Sequence, residues 1–198
     1  MPLLTRLLEE IRPNFTIQSE WAEFRNLVRP PAKLADRIKT AVELFPCDLL
    51  FVHRDAERDP REARRAEIDA ALKELLREGV RVPVVRVVPV RMQEAWLLVD
   101  ESAIRKAAGN PAGRIDLALP PAHRIEEIPD PKERLFQALR TASGQQGRKL
   151  KKLRLPVLRR RVAELIEDLT PLRSIPAFIA LEDEIEQFLD QPMNEQRN

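Results

Sequence analysis

The sequence predicts an α/β chain, a mainly parallel sheet flanked by helices, followed by a helical C-terminal part. Three observations carry that expectation. Two short apolar runs, Asp48–His53 and the valine-rich Arg81–Val90, bracket one amphipathic stretch, Arg61–Glu78. This is the pattern of a β-α-β unit, whose strands are parallel and whose crossover is almost always right-handed. From Pro131 onward every periodic segment has helical spacing. We therefore expect an α/β core over residues 1–108 and, over 109–198, an irregular connection with a helical extension packed on that core.

Leu3, Leu4, Leu7, Leu8 and Ile11 recur at helical spacing before Pro13, so the chain opens on an amphipathic helix. Phe15–Ser19 alternates apolar and polar residues and suits a short strand. Pro30-Pro31 breaks the chain before a helix from Ala32 to Phe45, which Pro46 ends. Asp48–His53 reads as a strand buried on both faces. The helix Arg61–Glu78 has Gly79 in position to cap its C-terminus. After the second strand, Glu94–Ile104 carries a helical stripe, with Trp96 and the earlier Trp21 as core residues. Prolines and glycines from Gly109 to Pro131 mark an irregular connection. Three helices then follow, at Pro131–Ala142, Leu155–Asp168 and Pro176–Leu189.

Composition narrows the function classes. Across 198 residues, 34 basic and 32 acidic side chains leave a net charge of +2, so nucleic-acid or membrane binding must be local if it occurs. The one cysteine, Cys47, excludes an internal disulfide and a Cys-based zinc site. No apolar run is long enough for a signal peptide or a membrane span, and we expect a cytoplasmic protein. There is no P-loop, GxGxxG turn or GxSxG elbow.

In an open parallel sheet, ligands bind beyond the carboxyl ends of the strands. That rule selects His53–Asp59 after the first strand and Arg91–Glu94 after the second, and both segments carry carboxylates. Asp55, Glu57, Asp59 and Glu94 are candidate ligands for Mg²⁺, a hard cation held by carboxylates, water and phosphate oxygens. Asp55 and Glu57 point the same way only if the strand stays extended as far as Glu57. The alternative is a solvated loop in which Arg54, Arg58 and Arg61 neutralise the acids, with Glu94 as a favourable charge in the first turn of a helix. Asp100 reads as helix-surface charge, and His53 as packing beside the strand end. Arg148, Lys149, Lys151, Lys152 and Arg154 place five positive charges in seven residues, with Arg159, Arg160 and Arg161 downstream. They form the candidate nucleic-acid face, one that phosphates would find attractive.

At Asp48–Pro60, Val90–Asp100, Ala107–Pro111, Arg140–Gly144 and Asp168–Arg173 the sequence resembles the TOPRIM-like proteins of the domain of unknown function 4276 family. The Glu94-Ala-Trp-Leu-Leu98 block after a strand is the most specific element. The resemblance implies a TOPRIM core, Mg²⁺ or Mn²⁺ as cofactor, and phosphodiester chemistry on DNA or RNA. It casts Asp55, Glu57 and Glu94 as catalytic and metal-site acids, joined by Asp59. It also implies an ATPase partner in a phage-defence or mobile-element setting. One departure weighs against catalysis: the family's first strand and its glutamate should precede the first helix, yet Met1 leads straight into that helix, where Glu9 and Glu10 cannot replace it. The expectation is an upstream, in-frame valine- or isoleucine-rich strand ending in Glu-Gly. Two function classes follow: a Mg²⁺-dependent nuclease, or a non-catalytic TOPRIM-like interaction subunit.

Overall fold

Prolines punctuate this chain, and the computed structural model, which describes residues 2–190, shows where each one acts. Helix α1 (Pro2–Ile11) has proline at its start, where the missing N–H costs nothing, and buries Leu3, Leu4 and Leu7. Helix α2 (Leu34–Leu44) buries Ala35, Ile38 and Ala41 along one stripe and stops at Phe45. Residues that precede a proline avoid the helical region, which fixes that end.

Between α1 and α2 no strand forms. The alternation over Phe15–Ser19 is real, but the segment pairs with no neighbouring strand. Phe15 and Thr16 are exposed as a result. Trp21 is also not a core residue; it stands 61% exposed.

Strand β1 (Leu50–His53) and strand β2 (Val84–Val87) pair in parallel, from Leu50 opposite Val84 to His53 opposite Val87, and form a two-stranded sheet. Helix α3 (Arg61–Arg77) joins them. Gly79 adopts φ 80°, and Val80 N–H reaches back to the Leu75 carbonyl at 3.0 Å, closing the expected left-handed helix end. β2 is shorter than the valine run because Pro83 and Pro89 have no N–H. Their carbonyls still accept from Leu50 N (2.9 Å) and Ala56 N (3.1 Å).

The two-residue period of the strands sorts side chains between two cores. Leu50, Val52, Val84 and Val88 face α2 and α3, with Ala35, Ile38, Ile68 and Leu75. Leu49, Phe51, Val85 and Val87 face the larger core, shared with Leu3 and Leu7 of α1. β1 is not buried on both faces as its apolar run suggests; only Val52 of its four residues is buried. Too few strands flank it to seal its edge.

The stretch after β2 divides where one helix is expected. A 3₁₀ segment, Gln93–Val99, buries Glu94 through Leu98, and helix α4 (Glu101–Ala107) starts afresh. Asp100 causes the break. Its carboxylate accepts from Ala103 N at 2.9 Å, so it is an N-cap and not a surface charge.

Beyond the connection come a 3₁₀ turn at Ala122–Glu127 and helices α5 (Pro131–Ser143), α6 (Gly147–Lys151), α7 (Leu155–Leu165) and α8 (Pro176–Leu189). Leu135, Leu139, Val162, Ile166, Phe178 and Leu181 share the core of Leu7 and Val87. Trp96 meets Phe178 edge-on at 5.4 Å. α8 closes the outer edge of β2 with a side chain: Glu184 accepts from Arg86 N (3.0 Å), Arg86 Nη1 (2.6 Å) and Arg65 Nη1 (2.9 Å). Among the described residues no helix is long and apolar enough to cross a membrane.

Candidate strand-end site and basic face

The two loops leaving the parallel strands stay together past the sheet. Arg54 N donates to Val87 O at 3.0 Å, Ala56 N to Pro89 O at 3.1 Å and Glu57 N to Arg91 O at 2.8 Å. Asp55 takes part directly, since its Oδ1 accepts from Gln93 N at 3.0 Å. That bond sets Asp55 beside the residue preceding Glu94, so the strand-end rule places the two segments as neighbours.

Their carboxylates nevertheless turn to separate partners. Asp55 Oδ1 also lies 3.2 Å from Nε2 of half-buried His53. Glu94, only 8% exposed, pairs with Arg159 of α7 at 2.6 Å. Asp59 pairs with Arg64 at 2.7 Å. Glu57 is exposed and sits at φ 55°, in the left-handed region, so the extended path that would align it with Asp55 ends before it. Arg91, whose carbonyl receives Glu57 N–H, is left-handed too, at φ 62°. Two non-glycine residues in this region on facing loops mark local strain. Among the described residues, no group of three or more His, Cys, Asp or Glu side chains is placed to hold a metal ion. As arranged, Asp55, Glu57, Asp59 and Glu94 do not fit a shared Mg²⁺ site.

The arginines of this region pair differently from the local neutralisation the sequence suggests. Arg54 goes to Glu67 at 2.8 Å, and Arg64 bridges Asp59 and Glu67. Arg61 donates through Nε to Val88 O at 3.0 Å, and its burial pulls the guanidinium pKa down. Arg54 Nε, Arg61 Nη2 and Arg64 Nε are buried without a hydrogen-bond partner, and His53 Nε2, although 3.2 Å from Asp55 Oδ1, is not aligned for a hydrogen bond to it. This concentration of unused donors at the strand end is invisible in the sequence, where the same arginines read as counter-charges to their neighbours. His123 is exposed and far from these groups in sequence.

The basic segment behaves otherwise. Leu150 and Leu153 are half-buried and anchor α6 and the turn after it. Arg148, Lys149, Lys151, Lys152 and Arg154 are turned outward and exposed, and none makes an ion pair with a described residue. The downstream arginines do not all extend this face: Arg159 is committed to Glu94 and Arg160 to Glu164 at 2.9 Å, leaving Arg161 exposed.

No protein-family model, no curated protein and no solved structure matches the chain, so the geometry of these two regions is what a functional reading must rest on.

Proposed function

We propose that the chain is a non-catalytic, TOPRIM-like interaction subunit that holds a nucleic-acid phosphate backbone against the Arg148–Arg154 face. One observation carries this reading: Arg148, Lys149, Lys151, Lys152 and Arg154 are exposed together and make no ion pair with a described residue, whereas arginines such as Arg54, Arg86 and Arg159 are matched to carboxylates. Five such charges in seven residues can replace counterions along a backbone without reading bases.

The test is binding of labelled DNA and RNA duplexes and single strands across a salt series. With about five phosphate contacts, affinity falls roughly 500-fold between about 50 and about 200 mM salt. A variant carrying Lys149→Glu, Lys151→Glu and Lys152→Glu retains about two contacts and loses only roughly 12-fold over the same range. An unchanged salt slope in that variant overturns the assignment.

A Mg²⁺- or Mn²⁺-dependent nuclease using Asp55, Glu57 and Glu94, with Asp59, is the second reading. The Gln93–Asp55 hydrogen bond favours it by holding the two acidic loops side by side. It requires Glu94 to leave Arg159 and Asp55 to leave His53. Plasmid nicking that needs Mg²⁺, stops with EDTA and is lost in Asp55→Ala supports this reading over the first. An ATPase partner remains compatible with either and rests on the family resemblance alone.

A further inference from the structure

The sheet's two edges are treated differently. β2's outer edge is closed, because Glu184 accepts the Arg86 N–H that points away from β1. Among the described residues β1 has no such cover. Leu50 and Arg54 donate toward β2, so by the alternation of a parallel ladder the N–H and C=O groups of Phe51 and His53 point to the opposite edge. Neither residue's backbone makes a hydrogen bond to a described residue there.

That edge forms the floor of a groove of about 1750 Å³. Leu4 and Leu8 of α1 overhang it from one face of the sheet, and Ile38 and Ala41 of α2 from the other. The chain's own segment 15–22, with exposed Phe15 and Trp21, also lines it without forming a strand. Helices on both faces thus extend past β1 with no strand between them.

We propose that this groove accepts an extended, apolar segment of a partner polypeptide, which adds to β1 as a third strand. The chemistry of the occupant follows from the floor and the walls. An unpaired main-chain edge is completed by main-chain donors and acceptors, which a helix cannot offer because its own are satisfied internally. Leu4 and Leu8 on one face and Ile38 and Ala41 on the other make the walls beside the strand apolar, with Arg37, Asp48 and Arg81 farther along the groove, so side chains of the added strand that point to either face must be mainly apolar. A second copy of this chain does not fit, because its own β1 edge lies at the bottom of an identical groove and two such floors cannot meet.

The groove also supplies a reporter. Cys47 is the only cysteine, is free, and lines it. The experiment uses the full chain and end-capped hexapeptides of alternating valine and threonine or of valine and isoleucine, with an alanine-rich helical peptide as control. Residue-resolved amide exchange and Cys47 alkylation are the readouts.

In the free protein the Phe51 and His53 amides exchange fast while Val52 and Arg54 are protected. Extended peptides slow Phe51 and His53 exchange and Cys47 alkylation, whereas the helical control does neither. N-methylation of peptide amides in one alternating set weakens binding about tenfold per lost main-chain bond, and methylation of the other set leaves it unchanged. Protected Phe51 and His53 amides in the free monomer overturn the proposal, as does protection that grows with protein concentration, which would make a second copy the occupant. Failure of every extended peptide to slow these amides at about millimolar concentration also overturns it, and so does binding that is indifferent to which amides are methylated.

Discussion

Replacing Glu94 by glutamine distinguishes the two readings of the strand-end site without any activity assay. The Glu94 side chain is 10% exposed and has one cationic partner, Arg159, at 2.6 Å, whose own side chain is 40% exposed. A charge-assisted hydrogen bond contributes about 1.5–3 kcal/mol. Arg159 can return to water once the carboxylate is gone, so the lower part of that range applies, about 1.5–2 kcal/mol. For a chain of this size that is a fall in Tm of about 3–8 °C. The bond ties the 3₁₀ segment Gln93–Val99 to α7, so a double-mutant cycle with Arg159→Ala should give a coupling of about 1 kcal/mol or more. An acid in an unfilled metal cluster behaves oppositely, since neutralising it relieves repulsion and raises Tm. Thermal melts in EDTA and in Mg²⁺ decide the matter. A Tm that rises in Glu94→Gln, together with a Mg²⁺-induced stabilisation seen only in the wild type, refutes the structural assignment of Glu94.

Glu184→Ala removes the acceptor for one main-chain and two guanidinium donors at the β2 edge, where Glu184 is 13% exposed. The expected loss is about 2–4 kcal/mol by denaturant unfolding, and a loss below about 0.5 kcal/mol contradicts the role given to it as edge cover. Glu126 provides a pH test: its carboxylate accepts from Ala177 N near the start of α8, and burial raises its pKa above the ordinary 4.5, against a smaller lowering by that hydrogen bond and by Arg61. The folded state therefore holds this proton more tightly than the unfolded state, and stability falls as pH climbs from the ordinary value through the raised one. Glu126→Gln keeps an oxygen for Ala177 and removes that fall, so urea midpoints of wild type and variant should converge at about pH 4 and diverge in the variant's favour toward about pH 7. Parallel pH profiles for the two proteins count against a raised Glu126.

Much of the local structure was legible because single segments specify it. The apolar stripe and Pro13 mark α1, Pro46 ends α2, Gly79 ends α3, and the β-α-β pattern of β1, α3 and β2 follows from two apolar runs around one amphipathic helix. The five-charge stretch at Arg148–Arg154 was legible for the same reason: charge density is a local property. The misreadings share the opposite cause. Phe15–Ser19 alternates like a strand, yet a strand exists only where another edge pairs with it, and no window of five residues encodes that edge. Trp21 looks like core, but its burial depends on what stands opposite it.

The candidate site shows the same division. That acids follow both parallel strands is written along the chain, because strand ends and loop composition are read in order. What those acids pair with depends on the packing of distant elements. Arg159 lies 65 residues from Glu94, and the left-handed turn at Glu57 answers to the Arg91 carbonyl on another loop. A carboxylate's partner is set by whichever cation the packing of distant elements brings within about 3 Å, and electrostatic attraction at that range outweighs any preference written into neighbouring residues. The edge of β1 left open among the described residues is the clearest case: it is a property of what does not pack beside a strand, which no residue in that strand records.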